Sequence, residues 1–173
     1  MEINMGLFER FKKKKEEAVP VEDTTEIYAP ITGKYIELKE IPDQVFSAGI
    51  LGNGCGIEPE ISNVVSPVNG IISTIAETKH AIGITAENGM EILIDVGMDT
   101  VKMQGNGFDV KVKEGQKVSL GTCLMQFDMD AIREADYPVT TAFVITNSDD
   151  YESAFYTGKI YKQGEIIGRS KKS

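Results

Sequence analysis

From Glu26 onward the apolar residues fall in short runs separated by glycine, proline, asparagine and aspartate. The runs that read as strands are 27–29, 33–37, 56–58, 63–65, 70–75, 81–85, 91–96, 108–112, 123–127, 139–145 and 165–169. They are rich in valine, isoleucine, threonine and aromatic residues, which suit a pleated, half-buried surface. Asn69-Gly70, Asn88-Gly89 and Asn106-Gly107 supply the positive φ angles that tight turns need. Only residues 129–135 read as a short helix, opened by Asp128 or Asp130 as a cap. Strands this short and this closely spaced predict an all-β domain, an antiparallel sandwich or barrel with very short helices.

The first residues follow a different pattern. Ile3, Leu7 and Phe11 recur every four positions, with Phe8 beside them, so a helix would carry them on one face. Arg10 and Lys12 to Lys15 lie alongside, and residues 1–15 hold five cations against two acids, a balance of +3. One reading of residues 1–17 is an interfacial helix that touches anionic lipid; the other is a solvated terminus whose lysines do nothing specific. Residues 18–25, broken by Pro20, read as a linker, which leaves 26–173 as the β domain. The whole chain carries −9, so the rest carries −12. An acidic body repels nucleic acid and suits partners with basic faces. Cys55 and Cys123 have no metal or redox spacing, and no run reaches the roughly 20 apolar residues of a membrane span. Both features, with no signal peptide at the start, lead to the expectation of a cytoplasmic protein, peripheral at the inner face of the membrane if the first helix binds lipid.

Two segments share one form. Ile27-Tyr28-Ala29-Pro30-Ile31-Thr32-Gly33-Lys34-Tyr35-Ile36 and Val64-Val65-Ser66-Pro67-Val68-Asn69-Gly70-Ile71-Ile72 both read apolar-apolar-x-Pro-apolar-x-Gly. Proline cannot donate to a ladder and glycine permits the turn back, so each marks a corner. An internal duplication and a shared turn solution both account for the likeness.

The chemistry concentrates in two stretches. Thr78-Lys79-His80-Ala81-Ile82-Gly83-Ile84 contains the only histidine of the chain, and Glu91-Ile92-Leu93-Ile94-Asp95-Val96-Gly97-Met98-Asp99-Thr100-Val101 follows. Around them stand Ile41-Pro42-Asp43-Gln44-Val45-Phe46-Ser47, Leu51-Gly52-Asn53-Gly54-Cys55-Gly56-Ile57-Glu58-Pro59, Pro67-Val68-Asn69-Gly70, Thr100-Val101-Lys102-Met103-Gln104-Gly105-Asn106-Gly107-Phe108 and Glu114-Gly115-Gln116-Lys117-Val118. In this order and spacing they resemble the glucose-type IIA component of the bacterial sugar phosphotransferase system, over nearly the whole chain. The resemblance implies the β-sandwich of that family, built on a duplicated hybrid motif. It also implies a phosphoryl relay from the phosphocarrier HPr to a membrane IIB/IIC sugar permease, with no cofactor.

By the same resemblance, Asp95 occupies the position of the phosphorylated histidine. His80 is its supporting partner, and Thr78 fixes the tautomer of His80. Val45, Phe46, Leu51, Leu93, Val96 and Val101 form an apolar docking rim, flanked by Asp43 and Asp99. Alternation along the 91–96 strand puts Leu93, Asp95 and Gly97 on one face and Ile92, Ile94 and Val96 on the other. A relay needs a nucleophile that attacks phosphorus and later leaves, as a neutral imidazole does near pH 7. A carboxylate without a metal must approach a phosphate as one anion meeting another. Asp95 therefore stands as a charge that mimics or blocks phosphohistidine in an engineered variant, as the mark of a paralogue that binds without transferring, or as an acceptor that forms an acyl phosphate. The alternative to an impaired relay is a non-catalytic regulatory protein that docks on permeases or kinases through the same face. A carboxylate beside His80 is also expected to raise the imidazole pKa. No resident metal is expected. His80 and Asp95 amount to half of a zinc site, which a partner's carboxylate would have to extend, and a metal hydrolase would need two further histidines.

Overall fold

The computed structural model describes residues 24–173. The expected amphipathic segment 1–17 and most of the expected linker lie outside these residues. The domain begins two residues before the expected boundary, because Thr24 and Thr25 already pair with Lys171 and Ser170.

Among the described residues the strands are β1 (Thr24–Tyr28), β2 (Gly33–Glu37), β3 (Asn53–Pro59), β4 (Asn63–Val65), β5 (Gly70–Ile75), β6 (Ala81–Ala86), β7 (Glu91–Asp95), β8 (Phe108–Val110), β9 (Lys117–Val118), β10 (Cys123–Phe127), β11 (Thr141–Ile145), β12 (Tyr151–Phe155), β13 (Ile160–Tyr161) and β14 (Ile166–Lys172). Two short helices, α1 (Gln44–Ser47) and α2 (Met129–Glu134), accompany them. Asp128 caps α2, accepting a hydrogen bond from the Ala131 amide. The central sheet runs β13-β2-β3-β11-β7-β6-β5-β9, flanked by the sheets β1-β14-β12 and β4-β10-β8. All pairings are antiparallel. The all-β sandwich expected from the hydrophobic pattern is the fold observed.

Strand alternation splits the apolar residues between two clusters. On β7 and β11, Ile92, Ile94, Phe143 and Ile145 face the main core together with Ile27, Tyr35, Ile57, Met90 and Leu124. Leu93, Ala142 and Val144 face the other side and pack with Ile41, Phe46 and Met98. Burying each isoleucine of this kind contributes about 1.5–3 kcal/mol.

The internal likeness is a duplication in space. The amide of Tyr28 donates to Pro67 O at 3.4 Å, and the amide of Val65 donates to Pro30 O at 2.9 Å. These are the same bond made twice, with the two Pro-Gly segments exchanging roles. The match extends further: Ala29 N bonds Glu165 O as Ser66 N bonds Thr122 O, and Gly164 N bonds Ala29 O as Gly121 N bonds Ser66 O. β2 pairs with β13 through Gly33 and Tyr161 as β5 pairs with β9 through Gly70 and Val118. At both corners glycine is required by close backbone approach. A Cβ on Gly33 would sit 2.2 Å from Glu58 O, and one on Gly70 would sit 2.3 Å from Thr85 O.

The copies differ in one connection. Residues 38–52 join β2 to β3 and include α1, whereas only residues 76–80 join β5 to β6. The long connection lays Ile41 and Phe46 over the outer face of β11, where they cover Val144. The short one covers little. The ladder registers make Asp95 on β7 the counterpart of Val144 on β11, and His80 the counterpart of Asn53. One half of the sheet face is therefore roofed and the other stays open.

Candidate functional site

The open half holds a depression of about 160 Å³ lined by Asp43, Phe46, His80, Asp95, Gly97, Met98, Asp99, Thr100 and Val101. Three parts of the chain shape it. Asp43 caps α1, accepting hydrogen bonds from the amides of Val45 (2.9 Å) and Phe46 (3.1 Å). That cap fixes a four-residue helix, too short to show periodicity in the sequence, and sets Phe46 against the sheet.

The second part is the β5–β6 turn. Ala76 N bonds Ala81 O, and Lys79 N bonds Ala76 O with Lys79 in the left-handed region. This turn delivers His80 to the end of β6. Its backbone carbonyl accepts from Val96 N at 2.8 Å, one step beyond the Ala81–Asp95 pair. The hydroxyl of Thr78 lies 2.8 Å from His80 Nδ1, which leaves Nε2 as the nitrogen free to meet a partner. Burial lowers the His80 pKa from its ordinary value, opposed by the Thr78 backbone carbonyl, so the ring is neutral at pH 7.

The third part is the turn after β7. Gly97 and Asp99 both have positive φ, at 76° and 62°. The Thr100 hydroxyl closes the turn by donating to Val96 O at 2.6 Å. A Cβ on Gly97 would meet Thr100 Cγ2 at 2.4 Å in a backbone conformation that side chains rarely adopt. Gly97→Ala is expected to destabilise the domain by about 2–4 kcal/mol, read as a lower denaturant midpoint at unchanged slope.

Asp95 is half-buried at the floor. Burial and the neighbouring Asp43 carboxylate push its pKa up to about 7. Among the described residues no group donates a hydrogen bond to it, so nothing offsets that cost. The expectation that Asp95 raises the His80 pKa is not met. Burial moves His80 down, and a carboxyl that is itself half neutral near pH 7 exerts little pull. His80 is therefore expected to titrate below 6.5, with only a small change in Asp95→Asn, as read from the imidazole resonances by NMR.

The structure gathers Asp43, Phe46, His80, Asp95, Asp99 and Val101 around one depression, with Thr78 behind His80. Val45 and Leu51 are exposed on and just after α1, outside the lining. Leu93 lies beneath, packed against the Phe46 cluster. Val96 does not belong to the rim: it is fully buried in the main core, because it falls on the opposite face of the strand from Asp95. Gly97, Met98 and Thr100 complete the wall and were not expected as site residues. The signal for them was the Gly-x-Asp-Thr order directly after the strand, which needs two positive φ angles and a hydroxyl to close. Among the described residues no cluster of three or more His, Cys, Asp or Glu side chains is arranged to hold a metal ion, and no helix is long and apolar enough to cross a membrane.

Comparison with known proteins agrees with this geometry. Residues 25–151 match the family described as phosphoenolpyruvate-dependent sugar phosphotransferase system, EIIA 1. A glucose-specific EIIA component of Staphylococcus epidermidis is 42% identical over 143 residues, covering 83% of this chain and 86% of that protein. A β-glucoside-specific EIIBCA component of Bacillus subtilis is 51% identical over 125 residues, which are 72% of this chain and only 20% of that longer protein. The glucose permease IIA of Mycoplasma capricolum superimposes with a TM-score of 0.81 at 32% identity, over 85% of this chain and 96% of that one. With the duplicated β-sandwich and the open half of its sheet already in place, these matches lead to one conclusion: the chain belongs to the glucose-type EIIA family of the sugar phosphotransferase system.

Proposed function

We propose that this chain is a docking component of the phosphotransferase system, which keeps the partner-facing depression of the family and presents a carboxylate where the resemblance places the acceptor histidine. The observation that carries this reading is Asp95 itself, half-buried on the floor with Asp43 as a neighbouring anion and, among the described residues, no donor or cation to neutralise it. Near pH 7 the carboxyl divides between two forms. The neutral acid is a poor nucleophile, and the carboxylate meets an incoming phosphoryl group as a second anion. Relay through an acyl phosphate is disfavoured in both states, whereas docking through an apolar rim flanked by acids is not.

The partners this implies are HPr and the IIB domain of a sugar permease, met in the cytoplasm through Val45, Leu51, Val101 and the acids Asp43 and Asp99. Neutral His80, steadied by Thr78, then serves as a hydrogen-bond partner at the floor. The test is to incubate the full chain with phosphoenolpyruvate, enzyme I and HPr, and to weigh it. Unchanged mass, together with measurable HPr binding by NMR titration, supports the docking reading. A phosphoryl gain that disappears in Asp95→Asn replaces it with the acyl-phosphate relay.

A further inference from the structure

Gly105-Asn106-Gly107-Phe108 lines no part of the depression, yet it stands directly behind it. Gly105 and Gly107 both have positive φ, at 89° and 88°, and the Phe108 amide donates to Gly105 O at 3.3 Å. A Cβ on Gly105 would stand 3.8 Å from Lys79 Cδ and 3.9 Å from Thr78 O, so this turn rests against the one that delivers His80. It leads into β8, where Phe108 pairs with Phe127 of β10. Phe108 is buried, and its ring stands edge-on to the His80 imidazole, with centroids 6.5 Å apart and planes at 66°.

His80 is thus held at three points. Val96 N donates to its carbonyl at 2.8 Å, the Thr78 hydroxyl lies 2.8 Å from Nδ1, and Phe108 stands against the ring. The first leaves the side chain free to rotate. The second comes from the same turn, so it moves with His80 and fixes the ring only within that turn. Of the three, only Phe108 meets the ring from another element of the fold. A shorter side chain there would leave a void beside a half-buried ring, and a close-packed interior draws in whichever neighbour can swing. His80 is such a neighbour, because it also borders the open depression.

We propose that Phe108 is a positioning residue of the docking face, whose ring bars the His80 imidazole from swinging into the core and so keeps Nε2 presented to the depression. The consequence for partner binding rests on the docking reading of this face. The positioning itself is a property of the free chain. It gives the Gly-x-Gly-Phe stretch a part in the site that its distance in sequence from His80 conceals.

The test compares Phe108→Leu with Phe127→Leu in the full chain. Phe127 is buried in the same core cluster, but its ring does not pair with His80, so a merely structural role would make the two variants alike. Residual dipolar couplings of the imidazole Cδ2–H and Cε1–H bonds read the orientation of the ring. In the parent and in Phe127→Leu they should fit one fixed ring. In Phe108→Leu they should be averaged to roughly half their parent values or change sign, while the backbone couplings stay the same. Phe108→Met, which fills more of the space without a ring, should behave as Phe108→Leu does and serves if the leucine variant fails to fold. In titrations with HPr, Phe108→Leu should bind about 3- to 10-fold more weakly than Phe127→Leu, the loss of one hydrogen bond to a presented nitrogen. Unchanged imidazole couplings in the Phe108 variants overturn the proposal. So do equal changes in Phe127→Leu, which mark general loosening of the core, and altered couplings with equal HPr affinity. So does the absence, in the parent chain, of nuclear Overhauser cross-peaks between the Phe108 ring and the His80 ring protons. The expected couplings in a chain that binds no HPr would refute the docking reading and leave the positioning standing.

Discussion

Asp95→His is expected to raise phosphoryl uptake from HPr by about 1,000-fold. Two unit charges about 4 Å apart at an effective dielectric of about 20 repel by about 4 kcal/mol, and that barrier is worth about 1,000-fold in rate. A neutral imidazole removes this repulsion and offers a nitrogen that also leaves easily. The rest of the site is in place. The Thr78–His80 contact is 2.8 Å, and the Gly97–Thr100 turn is closed by the Thr100 hydroxyl. The gain should therefore appear as a mass increase of one phosphoryl group, at a rate about 1,000-fold above the parent chain. It should be lost again in His80→Gln combined with Asp95→His if His80 assists the transfer. An Asp95→His chain that binds HPr and still stays unmodified would mean that the wall, and not the acceptor position alone, is unsuited to transfer.

The second large effect is on stability. A carboxyl at about 7 in the fold and about 3.9 in the unfolded chain binds more protons when folded, between those two values. Its raised pKa means that stability is greatest below about pH 4 for this group and is lost as pH rises through about 7. Above that, the folded protein carries an anion that costs about 2–4 kcal/mol, after discounting for the partial exposure of Asp95. Asp95→Asn keeps the shape and removes the charge. At pH 8 it should melt about 5–10 °C higher than the parent, while at pH 4 the two should melt together. His80 tilts the balance the other way. Its lowered pKa means that its contribution is full above about 6.5 and declines as pH falls, so the parent profile should be flatter on the acid side than Asp95 alone would make it. Equal melting temperatures at pH 8 would show that Asp95 is solvated and that the anion costs nothing.

These two effects share one cause. The site keeps the burial that suits a neutral ring and fills it with a group that prefers water. In the docking reading, that misfit is retained because a fixed negative charge on the floor is what a basic partner meets.

Much of the fold was legible in the hydrophobic pattern. The runs 33–37, 63–65, 70–75 and 123–127 coincide with β2, β4, β5 and β10 at both ends. Glycine or asparagine opens β2, β4 and β5 or stands just before β10, a local signal for where each ladder starts. β12, β13 and β9 were not legible. Tyr151–Phe155 follows three polar residues and buries only Tyr151 fully, and its pairing is supplied by β14. β9 and β13 are two residues each, and they exist only because Gly70 and Gly33 lie beside them. The α1 helix is illegible for a related reason: its four residues are held by the Asp43 carboxylate and are too few to show a helical period.

The sequence by itself determined the β class, the two Pro-Gly corners, the family, and the face on which Asp95 stands, because strand alternation and turn chemistry are local properties of neighbouring residues. Only the tertiary structure decided that the two corners are one duplicated unit, that the Val96 face is the fully covered one, and that Val144 is roofed while its counterpart Asp95 stays open. It alone decided that Asp43 lies near enough to raise the Asp95 pKa. Those outcomes depend on one connection of residues 38–52 folding over half of a symmetric sheet and a short turn leaving the other half bare, and such distances between remote segments are set by packing, which no local pattern encodes.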